Sequence, residues 1–412
     1  MLTTYFKSLP TIARYRSGLA GPYLDEFTSW LTNRGYRRIS IRRHVREVVH
    51  FTDWAASEKH TVYELDHQIL NQLKDDLVER GLFRHPSGNH HHLYQSACVF
   101  IDFLKEIGVV YTPEHHSKYC VPALYTEFCK WMTMQRGTLD ITLANYRIPV
   151  TNLLRTLGEP SAYTAQRLRS FFMLQVSQAH PEAAKNIATA LRMFLRFLVA
   201  HGDCVPGLEF SIPTVARWHL SSLPKYLPLL AVNNLIASCD QSTPLGARDR
   251  AMLLLVARLG LRASDVSGMQ FQHLIWAKGT LIVAGKNRHK TELPLPQEVG
   301  DAILHYLHHG RPAVACEYVF MTAIAPIIPI TRVVVSKAVA RAIRRTGVDA
   351  PNCGAHMLRH SVATTMLGEG MSLPAIGALL RHASIETTSV YAKVDVELLK
   401  EVALPWPGVE PC

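Results

Sequence analysis

Leu274-Ile-Trp-Ala-Lys278-Gly279-Thr-Leu-Ile-Val-Ala284-Gly285-Lys286-Asn-Arg288-His-Lys290-Thr291-Glu-Leu-Pro-Leu295 is where the apolar period of this chain changes. From Leu274 to Ala284 the residues are β-rich and alternate, as a strand with one buried face requires. Lys278-Gly279 interrupts them at a hairpin turn. Gly285 to Lys290 forms a second turn, and Thr291 to Leu295 supplies a third strand. On either side the period is helical. Leu229 to Cys239 and Ala247 to Leu259 read as helices before the sheet, and the chain is helical again from Thr331 onward. The expected fold is mainly α with a small antiparallel β-sheet inserted in the C-terminal part.

The first half is helical in period and contains a faint duplication. Tyr23-Leu-Asp-Glu-Phe27-Thr-Ser-Trp30 is echoed by Leu124-Tyr125-Thr-Glu-Phe128-Cys-Lys-Trp131, and Ser40-Ile41 by Thr142-Leu143. Phe100-Ile-Asp-Phe103-Leu104 with Gly108 is echoed by Phe194-Leu-Arg-Phe197-Leu198 with Gly202. Apolar spacings of three and four mark amphipathic helices with one buried face. Two helical domains are therefore expected, at residues 1–110 and 118–210, with a third domain at 225–412. Tyr111 to Lys118 reads as a polar connector. Pro206, Pro213, Pro224 and Pro228 break any helix in a second linker that carries Arg217, His219 and Lys225.

Composition narrows the function. The 412 residues carry 44 Lys+Arg against 33 Asp+Glu, a net charge of +11, and 48% are hydrophobic, an ordinary globular balance. The excess is spread along the chain: 25 basic against 19 acidic residues before Lys225, and 19 against 14 from there on. A folded protein that is basic throughout is suited to a polyphosphate partner, which points to nucleic acid. Apolar runs such as Ala251 to Ala257 end well short of the roughly 20 residues a membrane span needs. Met1 to Arg16 lacks the apolar core of an export signal, so a cytoplasmic location without membrane attachment is expected. The eight cysteines show no CxxC pair, which argues for reduced thiols rather than a disulfide framework or zinc site. His90 to His92, His115-His116 and His308-His309 lack the i, i+4 spacing with a carboxylate that would hold an ion, so they read as solvated surface. No metal or cofactor is expected.

Four segments carry candidate chemistry. In Leu259-Gly-Leu-Arg262-Ala-Ser-Asp265, one helix ends at Gly260 and another can start with Ser264 as N-cap, which leaves Arg262 in the junction. Gly285-Lys286-Asn-Arg288-His-Lys290 is a basic hairpin tip. In Gly354-Ala-His356-Met-Leu-Arg359-His360-Ser361, His356 and Arg359 share a helix face, and two cations there favour an anion between them. In Leu379-Leu-Arg381-His382-Ala-Ser384-Ile-Glu-Thr-Thr-Ser-Val-Tyr391, a continuous helix would put His382 and Tyr391 on opposite sides. A turn capped by Ser384 lets both face one site.

Taken together, in the order Arg, Lys, His-x-x-Arg, His, Tyr, these segments resemble the tyrosine recombinases, the phage-integrase family. The resemblance covers the chain from about residue 225 to the end, and the helical region before it is similar to the SAM-like core-binding domain of that family. It implies a C-shaped clamp on DNA in which Arg262 and Arg359 hold the scissile phosphate and Lys286 protonates the leaving 5′ oxygen. His356 would assist proton transfer, His382 would hydrogen-bond the phosphate, and Tyr391 would be the nucleophile. The implied activity is site-specific recombination through a covalent 3′-phosphotyrosine, without ATP or metal. Double-stranded DNA would be the partner, bound by a homo-tetramer or a mixed assembly. The extra helical region is similar to that of larger recombinases of bacterial transposable elements.

The chemistry is sensible apart from the name. Guanidiniums donate paired hydrogen bonds to a phosphate whose charge grows in the transition state. A tyrosine of ordinary pKa about 10 needs positive charge nearby to ionise. Two departures stand out: Arg381 occupies a position where the family generally has Gly, and Lys290 competes with Lys286, which is preferred because it directly follows Gly285. Asp265 is expected to brace the arginine and the histidines. Rival readings are a type IB topoisomerase-like nicking and closing enzyme and a DNA-binding relative without catalysis.

Overall fold

The computed structural model describes residues 2–81, 92–110, 122–177, 181–214, 224–284, 290–382 and 384–394. The connector 111–118, Lys286, Arg288, Arg217, His219, His90, His91, His115 and His116 lie outside the described residues. The chain divides into two units, one made of residues 1–50 with 219–412 and the other of residues 51–218.

Among the described residues, ten α-helices precede the second linker: α1 (Leu2–Tyr5), α2 (Leu9–Ser17), α3 (Leu24–Asn33), α4 (Arg38–Ser57), α5 (His67–Glu79), α6 (His92–Glu106), α7 (Ala123–Arg136), α8 (Asp140–Leu157), α9 (Ala165–Ser177) and α10 (Pro181–His201). The echoed motifs fall on helices in the same order, on α3 and α7, α4 and α8, and α6 and α10. The paired aromatics Phe27 and Phe128, and Phe100 and Phe194, are all fully buried. Phe128 anchors the core of α7 to α10, edge-on to Phe194 with centroids 5.3 Å apart and 5.6 Å from Phe197. Buried aromatics in such pairs contribute packing beyond their area. Within the first unit, residues at the end of α3 meet the C-terminal region: Ile327 N–H donates to the carbonyl of Arg34 at 2.9 Å. Gly35 there has φ +77, and a Cβ on it would lie 2.5 Å from Ile327.

The C-terminal part of that unit contains α11 (Leu229–Ala237), α12 (Pro244–Leu259), α13 (Ala263–Ser267), β1 (Leu274–Ile275), β2 (Thr280–Ala284), β3 (Lys290–Pro294), α14 (Gln297–His309), α15 (Arg332–Thr346), α16 (Ala355–Gly368), α17 (Leu373–Leu380) and α18 (Ile385–Thr388). Thr243 caps α12, its Oγ1 accepting from Gly246 N–H at 3.1 Å, and Pro244 occupies the first turn, where a missing N–H costs nothing. Ala251 to Val256 are all fully buried, because α14, α15 and α16 pack around α12. A helix apolar on every side needs such enclosure. The sheet is antiparallel in the order β1-β2-β3, with Leu281 opposite Leu293 and Ala284 opposite Lys290. Leu281, Val283 and Leu293 turn inward, as the alternation predicts.

A buried charge network fixes this core. Asp249 accepts two bonds from Arg341 on α15, at 2.5 and 3.0 Å, and one from Arg248 at 3.2 Å, while Arg248 also donates to the carbonyl of Met321 at 3.0 Å. Six described cysteines are free thiols. Among the described residues, no helix is long and apolar enough to cross a membrane.

Gly260 closes α12 with φ +58, and a Cβ there would lie 2.5 Å from Leu380 Cδ2 on α17. Gly279 has a similar φ of +63 but faces open space. Gly260→Ala is therefore expected to lower stability by about 1–3 kcal/mol through backbone strain and displacement of α17. Gly279→Ala should cost only the conformational penalty of about 1 kcal/mol. Thermal or denaturant unfolding of the two variants checks the contrast, and equal losses would contradict it.

Candidate active site

The site is assembled at the C-terminal ends of α12 and α17. The last carbonyls of a helix have no partner within it and carry the negative end of the helix dipole, so they attract cationic donors. Gly260 ends α12 in the left-handed region and Arg381 ends α17 there, with φ +55. Arg359, on α16 and only 2% exposed, donates to the carbonyls of Gly260 and Leu380. Arg262 donates from Nη2 to the carbonyl of Arg381 at 3.1 Å. Arg359 is thus anchored on main-chain oxygens of both helix ends, and Arg262 on that of α17.

Arg262, not Ser264, is the N-cap residue of α13, and the helix starts at Ala263. The cap runs in reverse: Asp265 in the first turn accepts from the Arg262 backbone N–H at 3.1 Å. The same carboxylate oxygen accepts from Arg381 Nη2 at 2.6 Å, an ion pair that is nearly buried on both sides. Asp265 therefore braces Arg262 and Arg381. The expected contact with the histidines is not made among the described residues, because the carboxylate is turned toward the α17 end.

Tyr391 lies in a 3₁₀ turn at Ser389–Val394 and is 1% exposed, packed against Ala363, Leu367, Ile376 and Leu380. Its hydroxyl is 2.9 Å from His360 Nδ1. The His360 ring meets His356 edge-on, with centroids 4.2 Å apart. His382 lies parallel to the Tyr391 ring, 8° from coplanar, at 6.4 Å. Its Nδ1 is 2.8 Å from Oγ1 of the buried Thr388. Ser384 Oγ accepts from Glu386 N–H at 3.2 Å, so the turn before α18 brings His382 and Tyr391 face to face as the sequence requires.

Arg262, His356, Arg359, His382 and Tyr391 are thereby gathered in one place. Lys286 lies outside the described residues. Lys290, its competitor, is exposed at the start of β3, and its charge helps hold His273 below the ordinary histidine value, after burial. His360 was not singled out by sequence. Its signal was present, since it lies four residues from His356 on the same helix face.

The electrostatics follow from crowding cations around buried rings. Burial, then His356 and Arg359, push His360 down to about 4. His382 is likewise pushed down to about 4, by burial, then Arg359, Arg262, His356 and His360. His356 faces solvent on one side, yet desolvation of its packed ring, with Arg359 and Arg262, lowers it too. Burial raises Tyr391 to about 12, partly offset by Arg359. Arg359 itself falls to about 10, through burial and repulsion from Arg262 and Arg381. At neutral pH the site holds neutral histidines, a protonated tyrosine and three guanidiniums facing a single carboxylate. Such a site lacks an anion, and a phosphate group would supply it. Among the described residues, no group of three or more His, Cys, Asp or Glu is arranged to hold a metal ion.

Comparison with known proteins places the chain. Residues 225–397 match the model of the phage integrase family. The integrase/recombinase y4rA of Sinorhizobium fredii is 33% identical over 96% of this chain and 97% of its own length. Tyrosine recombinase XerD of Lacticaseibacillus casei is 28% identical over 68% of this chain and 96% of its own. Among solved structures, XerH site-specific recombinase in a post-cleavage complex with palindromic difH substrate shares the fold, with a TM-score of 0.56 at 19% identity over 67% of this chain and 83% of that one. The Tn1549 transposon integrase with transposon right end DNA does so at 0.53, with 15% identity over 67% of this chain and 99% of that one. With the relationship to y4rA running through nearly the whole of both chains, this chain belongs to the phage integrase family, the tyrosine-type site-specific recombinases.

Proposed function

We propose that the chain cleaves and rejoins DNA strands at specific sites through a covalent 3′-phosphotyrosine on Tyr391. The observation that carries this reading is the Tyr391 hydroxyl held by His360 at 2.9 Å within reach of the Arg359 charge. Tyr391 Oη attacks the phosphorus while Arg262 and Arg359 take up the charge that grows on the non-bridging oxygens. The phenolic proton passes to Nδ1 of neutral His360, in the tautomer that leaves this nitrogen unprotonated, and His356 beside it assists. The bond from phosphorus to the 5′ oxygen breaks, and that oxygen takes a proton from Lys286. His382 hydrogen-bonds the phosphate. Religation reverses each step with a new 5′ hydroxyl. The phosphotyrosyl ester keeps the energy of the broken bond, so the cycle requires neither ATP nor a metal.

Residues 225–412 are assigned as the catalytic domain, 118–210 as the core-binding domain and 1–110 as an additional helical domain for DNA or protein contacts. The proposed partner is duplex DNA bound by four protomers, identical or mixed, in the cytoplasm. The Tn1549 transposon integrase, solved in complex with transposon right end DNA, supports both the DNA partner and a mobile-element setting, and XerH is bound to its palindromic difH substrate.

Nicked suicide duplexes carrying the recombination site test the nucleophile. The full chain should form a protein–DNA adduct stable in denaturing gels, and Tyr391→Phe should bind the same duplex without forming any. An adduct in that variant would rule out Tyr391. Arg359→Ala should slow adduct formation on the order of 10²–10³-fold, the usual loss for one preorganised donor.

The histidines set a pH dependence. His360 and His382 have folded values of about 4, below the 6.5 of the free side chain. The unfolded chain therefore takes up protons first, so their contribution is complete above about pH 6.5 and is lost as pH falls toward 4. Melting temperature should drop across that window, and His360→Asn should flatten part of the drop. An unchanged slope in that variant would show that His360 does not titrate as stated.

A further inference from the structure

Arg381 occupies a backbone position that suits glycine. Its φ is +55, and among the described residues only Lys59 shares a positive φ without being glycine. Most residues avoid that region because Cβ crowds the backbone. The side chain is also only 5% exposed, and its Nε and Nη1 have no hydrogen-bond partner. A strained backbone and unpaired buried donors both oppose folding, so this side chain does something that glycine would not.

Its one side-chain partner among the described residues identifies the task. Arg381 Nη2 grips Asp265 Oδ2 at 2.6 Å. Asp265 is the carboxylate whose charge reaches Arg359, and it sits on the first turn of the helix that Arg262 caps. The Arg381 carbonyl meanwhile receives Arg262 Nη2. We infer that the Arg381 guanidinium is a positioning residue that occupies Asp265, so that Arg262 and Arg359 stay anchored on main-chain carbonyls, with their charge left for a phosphate instead of neutralised by the carboxylate. With glycine in its place, Asp265 would be a nearly buried anion whose nearest available cations are the two phosphate-clamping arginines. It would then compete with the substrate for them. The inference rests on the reading of Arg262 and Arg359 as the phosphate clamp.

Orthovanadate binding to the full chain, measured by titration calorimetry, tests it without any cleavage step. The proposed nucleophile is tested separately by adduct formation, so the two ideas fail independently. Arg381→Gly should weaken vanadate binding on the order of tenfold, the scale of one charge-assisted contact. The double variant Arg381→Gly with Asp265→Asn should regain binding to within about threefold of the natural chain, because the competing charge is gone. Arg381→Lys, which keeps a cation at the same place, should retain most of the affinity and serves if the glycine variant is poorly folded. A merely structural arginine would give no rescue by Asp265→Asn. Natural affinity in Arg381→Gly, or a double variant as weak as the single one, would overturn the inference.

Discussion

Two guanidiniums that repel each other are held side by side on the spare carbonyls of two helix ends, and the rest of the site depends on that arrangement. Arg359 spans Gly260 and Leu380, and Arg262 reaches Arg381. Had carboxylates held them, their charge would be cancelled and nothing would be left for a phosphate. Main-chain oxygens satisfy the donors while keeping the net charge. Burial first, and then repulsion from Arg262 and Arg381, brings the pKa of Arg359 down to about 10.

Burial, reinforced by that charge, governs the neighbouring rings. His356, His360 and His382 are all held below the ordinary histidine value, so each is neutral and one can accept a proton from Tyr391. Tyr391 is buried and its pKa is raised, so in the proposed reaction its hydroxyl stays protonated until a phosphate arrives. A phosphate on the two arginines would relieve their repulsion and ease protonation of the histidines, so substrate binding and proton transfer become coupled.

Two left-handed residues make the carbonyl geometry possible. Gly260 lets α12 end under Leu380, where a methyl group would collide. Arg381 makes the equivalent turn on α17 at a steric cost, and its side chain supplies the charge that Asp265 requires. The buried Asp249 with Arg248 and Arg341 performs a different service, tying α12 to α15 so that the helix carrying Gly260 is fixed. Local strain at the site is thus borne by a well-paired core.

The periodicities were legible because side chains repeat every 3.6 residues on a helix and every second residue on a strand. β2, β3, α12 and the turn between His382 and Tyr391 fall where those rules put them, while β1 is cut to Leu274–Ile275 by a 3₁₀ turn at Trp276–Lys278. The types and order of the candidate site residues were legible too, since few other chemistries need that set. The cap of α13 was misplaced, because a carboxylate one turn ahead can cap a helix as well as a hydroxyl at its start, and spacing does not separate the two. Asp265 was expected to reach the histidines, but pairing with Arg381 across 116 residues turned it away. His360 went unassigned because Tyr391, its partner, is 31 residues away along the chain. The sequence alone thus determined the elements, the basic character and the inventory of reactive groups, which are properties of neighbours along the chain. Only the tertiary structure decided which groups are paired, buried and charged, because those depend on helix ends that meet from distant segments.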